Sequence, residues 1–269
     1  MLTTRYVTGS PNWLDLGTPD LETATAFYGG LFGWEFRSAG PDAGGYGMFQ
    51  LDGRTAAGGM TVPPEQGPPS WNIYFQSPDA DATADAVRGG GGTVLFEPMD
   101  VFDLGRMAVF TDPSDILFGT WQPGRNKGLD VAAEPGSLCW LELYTPDQND
   151  ALAFYTGVFG WETSMMALPG GTGAYTMAHP AGEAAETMFA GVVPLSSDPT
   201  ETGAYWLPYF EVPDCDASVA KAGELGGTVR MPPVELEGVG RFAKLADPTG
   251  ARFAVIQGAQ VAQENAEAA

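Results

Sequence analysis

Hydrophobic and polar positions alternate across residues 13–17, the period of a strand with one face on a core. Thr18-Pro19-Asp20 breaks that alternation, and the short Asp20 side chain suits a helix N-cap because its oxygen can accept the first free backbone N–H groups. Leu21, Ala24, Phe27, Tyr28, Leu31 and Phe32 then recur at helical spacing and make one apolar face. Gly33 supplies the stop, where a left-handed backbone costs glycine least. Short strands are predicted at 34–37, 47–51 and 58–62, so the first unit reads βαβββ. A second unit repeats the order: strand 71–76, helix 79–88 closed by the glycines at 89–92, then strands 93–96, 105–111 and 116–122.

The same pattern returns in the second half. Residues 13–34, WLDLGTPDLETATAFYGGLFGW, match 140–161, WLELYTPDQNDALAFYTGVFGW, at 14 of 22 positions and an offset of 127. Residues 71–121 match 206–256 without a gap at 18 of 51 positions and an offset of 135. Gly105-Arg106 aligns with Gly240-Arg241, and Asp112-Pro113 with Asp247-Pro248. A repeat of this length marks a duplicated domain. The segment 124–137, GRNKGLDVAAEPGS, is charged and aperiodic and reads as a linker, and the polar stretch 259–269 as a flexible tail.

Charge narrows the partners. With 34 acids against 12 bases the chain carries −22, which argues against nucleic acid and anionic membranes, both of which attract basic patches. It permits a cationic ligand and equally serves solubility. No stretch approaches the roughly 18 apolar residues of a membrane span, and the N-terminus lacks the apolar core of a signal peptide, so a cytoplasmic protein is expected. Cys139 and Cys215 lie in one half and make no disulfide framework; Cys139 reads as a small buried side chain. The run 89–92 follows a helix and lacks a Lys-Ser/Thr partner, so it is no phosphate loop. The one histidine, His179, falls in a segment read as loop, where a surface position is the ordinary reading, and a Ser-His-Asp or Cys-His pair in each half is excluded.

Paired βαβββ units, an FY-x-G-x-FGW helix end and a DP-[ST]-G-like final hairpin resemble the vicinal oxygen chelate superfamily, which includes glyoxalase I, bleomycin-resistance proteins and extradiol dioxygenases. Within it the chain looks most like two-domain actinobacterial members labelled glyoxalase-like antigens or hydroxylases. The resemblance implies an α+β fold: two tandem glyoxalase-like domains, 11–123 and 138–258, each of two βαβββ modules forming an open curled sheet around a cavity.

In metal-dependent members of that superfamily, His or Gln on a module's first strand and Glu on its last strand hold a divalent cation. Alignment by the turn before the helix and by the Asp-Pro hairpin puts the first-strand positions on Trp13, Asn72, Trp140 and Leu207. The last-strand positions fall near Gly119 and Ala254, and the remaining glutamate position around 58–61 and 190–193, where no carboxylate stands. Indole and alkyl groups offer a metal no lone pair. No metal site and no cofactor are therefore expected.

Side chains two apart on a strand share a face. Trp13 and Asp15 would line the first cavity with Asn72, Tyr74 and Gln76. Trp140, Glu142 and Tyr144 would line the second with Leu207, Tyr209 and Glu211. Such an aromatic wall suits a flat, partly apolar small molecule, although the same indoles would also fill a closed core. Trp34 and Trp161 read as core. Asp15 and Glu142, carboxylates beside Trp13 and Trp140 on a buried strand, are costly unless paired or hydrogen-bonded; each either pairs structurally with an arginine, Arg106 or Arg241, or serves as a general base. Three functions follow: a metal-independent binder of a small aromatic or amphipathic antibiotic or metabolite, as monomer or homodimer; a metal-free hydroxylase-, isomerase- or lyase-like enzyme using a cavity carboxylate; and a metal-dependent lyase or dioxygenase.

Overall fold

The computed structural model describes residues 2–167 and 174–259. Of the tail read at 259–269, only Ala259 lies within the described residues. The first half runs β1 (Pro11–Thr18), α1 (Leu21–Phe32), β2 (Glu35–Ser38), β3 (Gly47–Leu51), β4 (Arg54–Thr61), β5 (Ser70–Gln76), α2 (Ala80–Gly89), β6 (Thr93–Val101), β7 (Gly105–Thr111) and β8 (Leu117–Pro123). The second half repeats it as β9 (Leu138–Thr145), α3 (Gln148–Phe159), β10 (Glu162–Ala167), β11 (Ala174–His179), β12 (Ala190–Pro194), β13 (Tyr205–Glu211), α4 (Cys215–Glu224), β14 (Thr228–Leu236), β15 (Gly240–Ala246) and β16 (Arg252–Gly258). Each half makes one eight-stranded sheet, ordered β2-β3-β4-β1-β5-β8-β7-β6 in the first and likewise in the second. β1 runs antiparallel to β5 and β9 to β13, so the two modules of each sheet come from the same half.

The caps behave as their chemistry requires. Asp20 Oδ1 accepts the Thr23 N–H at 2.9 Å, and Gly33 closes α1 at φ 76°. Two elements differ from the sequence reading. β4 starts at Arg54 because Asp52 and Gly53, with φ of 51° and 76°, form a tight turn that hands the chain straight from β3. β6 continues through Pro98 to Val101, which an edge strand allows because no neighbour needs that missing N–H.

The core sits between the two sheets and belongs to both halves. Tyr28, Phe32 and Trp34, from the FY-x-G-x-FGW helix end, pack against Phe210 and Phe253 of the second half, with Phe32 and Phe210 centroids 5.1 Å apart. Reciprocally, Tyr155, Phe159 and Trp161 pack against Phe75 and Phe118 of the first. Tyr28 Oη donates to Asp247 Oδ2 at 3.2 Å, and Tyr155 Oη to Asp112 Oδ2 at 3.4 Å, a pseudo-twofold exchange between helix and hairpin turn. Trp34 and Trp161 are core, and each indole N–H reaches a carbonyl of the other half's flank, Gly136 and Gly9, at 2.8 Å. Segment 124–137 crosses the first half as a strap, with Leu129 and Val131 buried and the Leu129 N–H on Asn12 O at 3.0 Å. Among the described residues no helix is long and apolar enough to cross a membrane.

Candidate functional site

Because β5 gives Trp71, Ile73 and Phe75 to the core between the halves, its alternate residues Asn72, Tyr74 and Gln76 turn to the sheet's other, inner face. Strand register then lays out two rows. Gly58, Asp15 and Asn72 stand side by side on β4, β1 and β5, while Trp13, Tyr74 and Gly119 do so on β1, β5 and β8. The second sheet repeats both rows as Gly191, Glu142, Leu207 and Trp140, Tyr209, Ala254.

Each inner face centres on one carboxylate. Asp15 is buried and accepts from Asn72 Nδ2 at 2.9 Å and Tyr46 Oη at 3.2 Å, with Tyr74 as a third side-chain partner. Trp13 Nε1 holds Tyr46 Oη at 2.8 Å, and the Trp13 ring stacks on Trp121 at 6.5 Å. In the second half Glu142 accepts from Tyr144 and Tyr209 at 2.6 Å each and from Tyr175 at 2.9 Å, and Trp140 Nε1 holds Tyr175 at 3.0 Å. Tyr46, Tyr175 and Trp121 escape the reading of strand alternation. Tyr46 and Tyr175 precede or open their strands at an offset of 129, between the two offsets of the repeat, and that intermediate register is the signal that would find them.

Several expectations change here. Neither carboxylate pairs with arginine: Arg106 binds Asp100 and Asp81, and Arg241 binds Asp216, all on the outer surface. The phenolic collar takes their place. Gln76 and Glu211 share the inner faces but turn to backbone, Gln76 Nε2 to Tyr6 O at 3.2 Å and Glu211 Oε1 from Gly258 N at 3.1 Å, and join neither cluster. His179 ends β11 and is 5% exposed, so the surface reading is corrected; its ring lies against the Pro180 carbonyl. Cys139 is buried as expected.

The second face carries a further network without counterpart in the first. Lys244 on β15 is 1% exposed and donates to Tyr144 Oη at 2.6 Å, to Glu201 at 3.2 Å and to Asp198. Arg230 joins Glu201 at 3.1 Å. At the first half's equivalent positions stand Gly17 and Val109 in place of Tyr144 and Lys244.

The donor set does not fit a divalent cation. A Cβ placed on Gly58 or Gly191 would run into the Tyr46 or Tyr175 hydroxyl, and one on Gly119 into the Tyr74 ring, so tyrosines occupy the space a last-strand carboxylate would need. Asp15 and Glu142 are committed to phenol or amide donors, the further acids of the second face, Asp198 and Glu201, are bound to Lys244 and Arg230, and the described residues hold no group of three His, Cys, Asp or Glu side chains able to bind a metal.

Burial raises the Asp15 pKa, and hydrogen bonds from Asn72, Tyr46 and Tyr74 pull it only part of the way back. A carboxyl that holds its proton more tightly when folded costs stability as pH rises from its unfolded value, 3.8, through its folded one. Asp15→Asn removes that cost. Urea denaturation should show the variant gaining on wild type between pH 3.5 and pH 7, and a difference that stays flat across that range would refute the assignment.

The glyoxalase/bleomycin resistance protein/dioxygenase superfamily model matches residues 10–119 and again 137–255. The chain belongs to this superfamily. It is 40% identical to the anthracycline biosynthesis protein DauV of Streptomyces sp. (strain C5), over 94% of this chain and 95% of that protein. It is 39% identical to "Putative glyoxylase CFP32" of Mycobacterium tuberculosis (strain CDC 1551 / Oshkosh), over 94% and 96%. Among solved structures it resembles the Mn(II)-bound glyoxalase from Novosphingobium aromaticivorans, with a TM-score of 0.62 and 19% identity over 92% of this chain and 82% of that one. At that identity the likeness is one of fold.

Proposed function

We propose that this superfamily member is a metal-independent protein that binds a small flat aromatic or amphipathic molecule on its inner faces. One observation carries the reading: where a chelating glutamate would stand, tyrosine rings cover glycine, and beside them an indole backs a carboxylate collared by phenols. Such a surface offers stacking area and a fixed acceptor, the two things that orient a flat molecule. The likeness to DauV suggests the class, since anthracyclines are flat polycyclic aromatics.

Two measurements test it. Titration with an anthracycline should quench tryptophan fluorescence saturably, and Trp140→Ala should weaken binding about tenfold or more, the usual effect of removing an aromatic anchor. Prolonged chelation should leave that affinity unchanged. Stoichiometric Mn, Fe, Ni or Zn in the purified protein, lost together with ligand affinity on chelation, would overturn metal independence. Absence of saturable quenching would overturn the ligand class.

A further inference from the structure

The two inner faces share a plan but differ in access and in charge. In the first, Trp121 lies over Trp13, both are at most 7% exposed, and Asp15 is 4% exposed. In the second, the position of Trp121 is Ile256, whose smaller side chain leaves the indole of Trp140 half-buried rather than covered. Glu142 and Tyr175 are half-buried beside it. The first face buries its ring and its carboxylate and leaves Tyr46 and Asn72 half-buried at its rim, whereas the second keeps its ring and its carboxylate, as well as the phenol of Tyr175, in reach of solvent.

The charges differ as well. Asp15 is buried among neutral donors, and burial favours its uncharged form. Lys244 sits behind Tyr144, with its ammonium 4.4 Å from that ring, and is bound by Asp198 and Glu201. Glu201 is matched in turn by Arg230 and Arg252. Positive charge in the network is therefore spent on acids other than Glu142. Among the described residues Glu142 has no ion-pair partner; it accepts only from tyrosine hydroxyls. An unpaired carboxylate beside the half-buried rings of Trp140 and Tyr175 is the combination that recognises an organic cation, since aromatic rings and the carboxylate attract the same charge. The acidic chain, at −22, adds a long-range pull of the same sign.

We infer that the second half alone is the ligand site, that it takes one molecule per chain, and that this molecule is a planar aromatic carrying a protonated nitrogen paired with Glu142. The inference rests on the binding function proposed above and adds to it a stoichiometry, a location and a charge.

Isothermal titration with three tricyclic probes at pH 7.5 separates the two claims. 9-Aminoacridine is cationic there, acridine is neutral and anthracene-9-carboxylate is anionic. The expected result is one site per chain for 9-aminoacridine, acridine at least tenfold weaker, and the anion not bound. Raising the salt should weaken the cation and spare the neutral ring. Glu142→Gln should bring 9-aminoacridine down to the affinity that the same variant shows for acridine. Equal binding of cation and neutral ring, two equivalent sites, or a cation preference that survives Glu142→Gln would overturn the inference and leave the binding function standing. If none of the three binds, both fall. The comparison of probes and the salt series use the unaltered chain, so they decide the matter even if the Gln variant does not fold.

Discussion

Residues 1–127 produced alone will not fold to a cooperative structure, and neither will residues 128–269 alone. Each half leaves uncovered the aromatic rings that pack between the sheets: Phe75 and Phe118 on one side, Phe210 and Phe253 on the other, with Tyr28, Trp34, Tyr155 and Trp161 among them. Burying one such ring is worth about 1.5–3 kcal/mol, so several together approach the ~5–15 kcal/mol that holds a whole domain folded. The cross-half hydrogen bonds of Trp34 and Trp161 would go with them. Near-ultraviolet circular dichroism and urea titration should show each fragment without fixed aromatic packing or a sharp transition, and an equimolar mixture should recover both. A fragment that unfolds alone in one sharp step, with native aromatic signals, would show that the halves are independent.

The second large effect is expected at Glu201. Its side chain is fully buried and faces Lys244, Arg230, Arg252 and the Tyr205 hydroxyl. Glu201→Gln leaves the ammonium of Lys244 and the guanidinium of Arg230 short of a counter-charge in a place water hardly reaches, which costs about 3–5 kcal/mol. Burial opposes ionisation of Glu201, yet hydrogen bonds from Arg230 and Tyr205 and the charge of Lys244 hold its pKa below the ordinary 4.5. For a carboxylate so depressed, the stabilisation is complete above its unfolded value and is lost as pH falls through its folded one. The gap between wild type and variant in urea denaturation should therefore be full at pH 7 and shrink below about pH 4.5. A loss under 1 kcal/mol at pH 7 would mean that the network is solvated and contributes little.

Much of the fold was legible because the physics that shapes it is local and repeats. Alternation gave the strands around Trp13 and Trp140, Asp20 and Gly33 bracketed α1, and the 127- and 135-residue offsets gave the duplication. What covers an apolar face is not local. The pattern around Tyr28 and Phe32 shows a face that must be buried, but only the assembled sheets show that the other half buries it. The site was legible to the same depth. Trp13, Asp15, Asn72 and Tyr74 do converge, as do Trp140, Glu142, Tyr144 and Tyr209. Tyr46 and Tyr175 come from neighbouring segments whose spacing drifts between the copies, so alternation along β1 and β9 says nothing of them. Lys244 was hidden for another reason. Lysine is ordinarily read as surface, and its burial depends on Asp198 and Glu201, which arrive from a loop more than forty residues earlier.

The reciprocal contacts of Tyr28 with Asp247 and Tyr155 with Asp112 have the geometry of a symmetric dimer whose two subunits were joined end to end. In a dimer of identical chains, any change to one pocket is a change to both, so a substitution that opens one also loosens its twin. A joined chain is under no such bond, and its two inner faces do differ: Gly17, Val109 and Trp121 stand in one where Tyr144, Lys244 and Ile256 stand in the other.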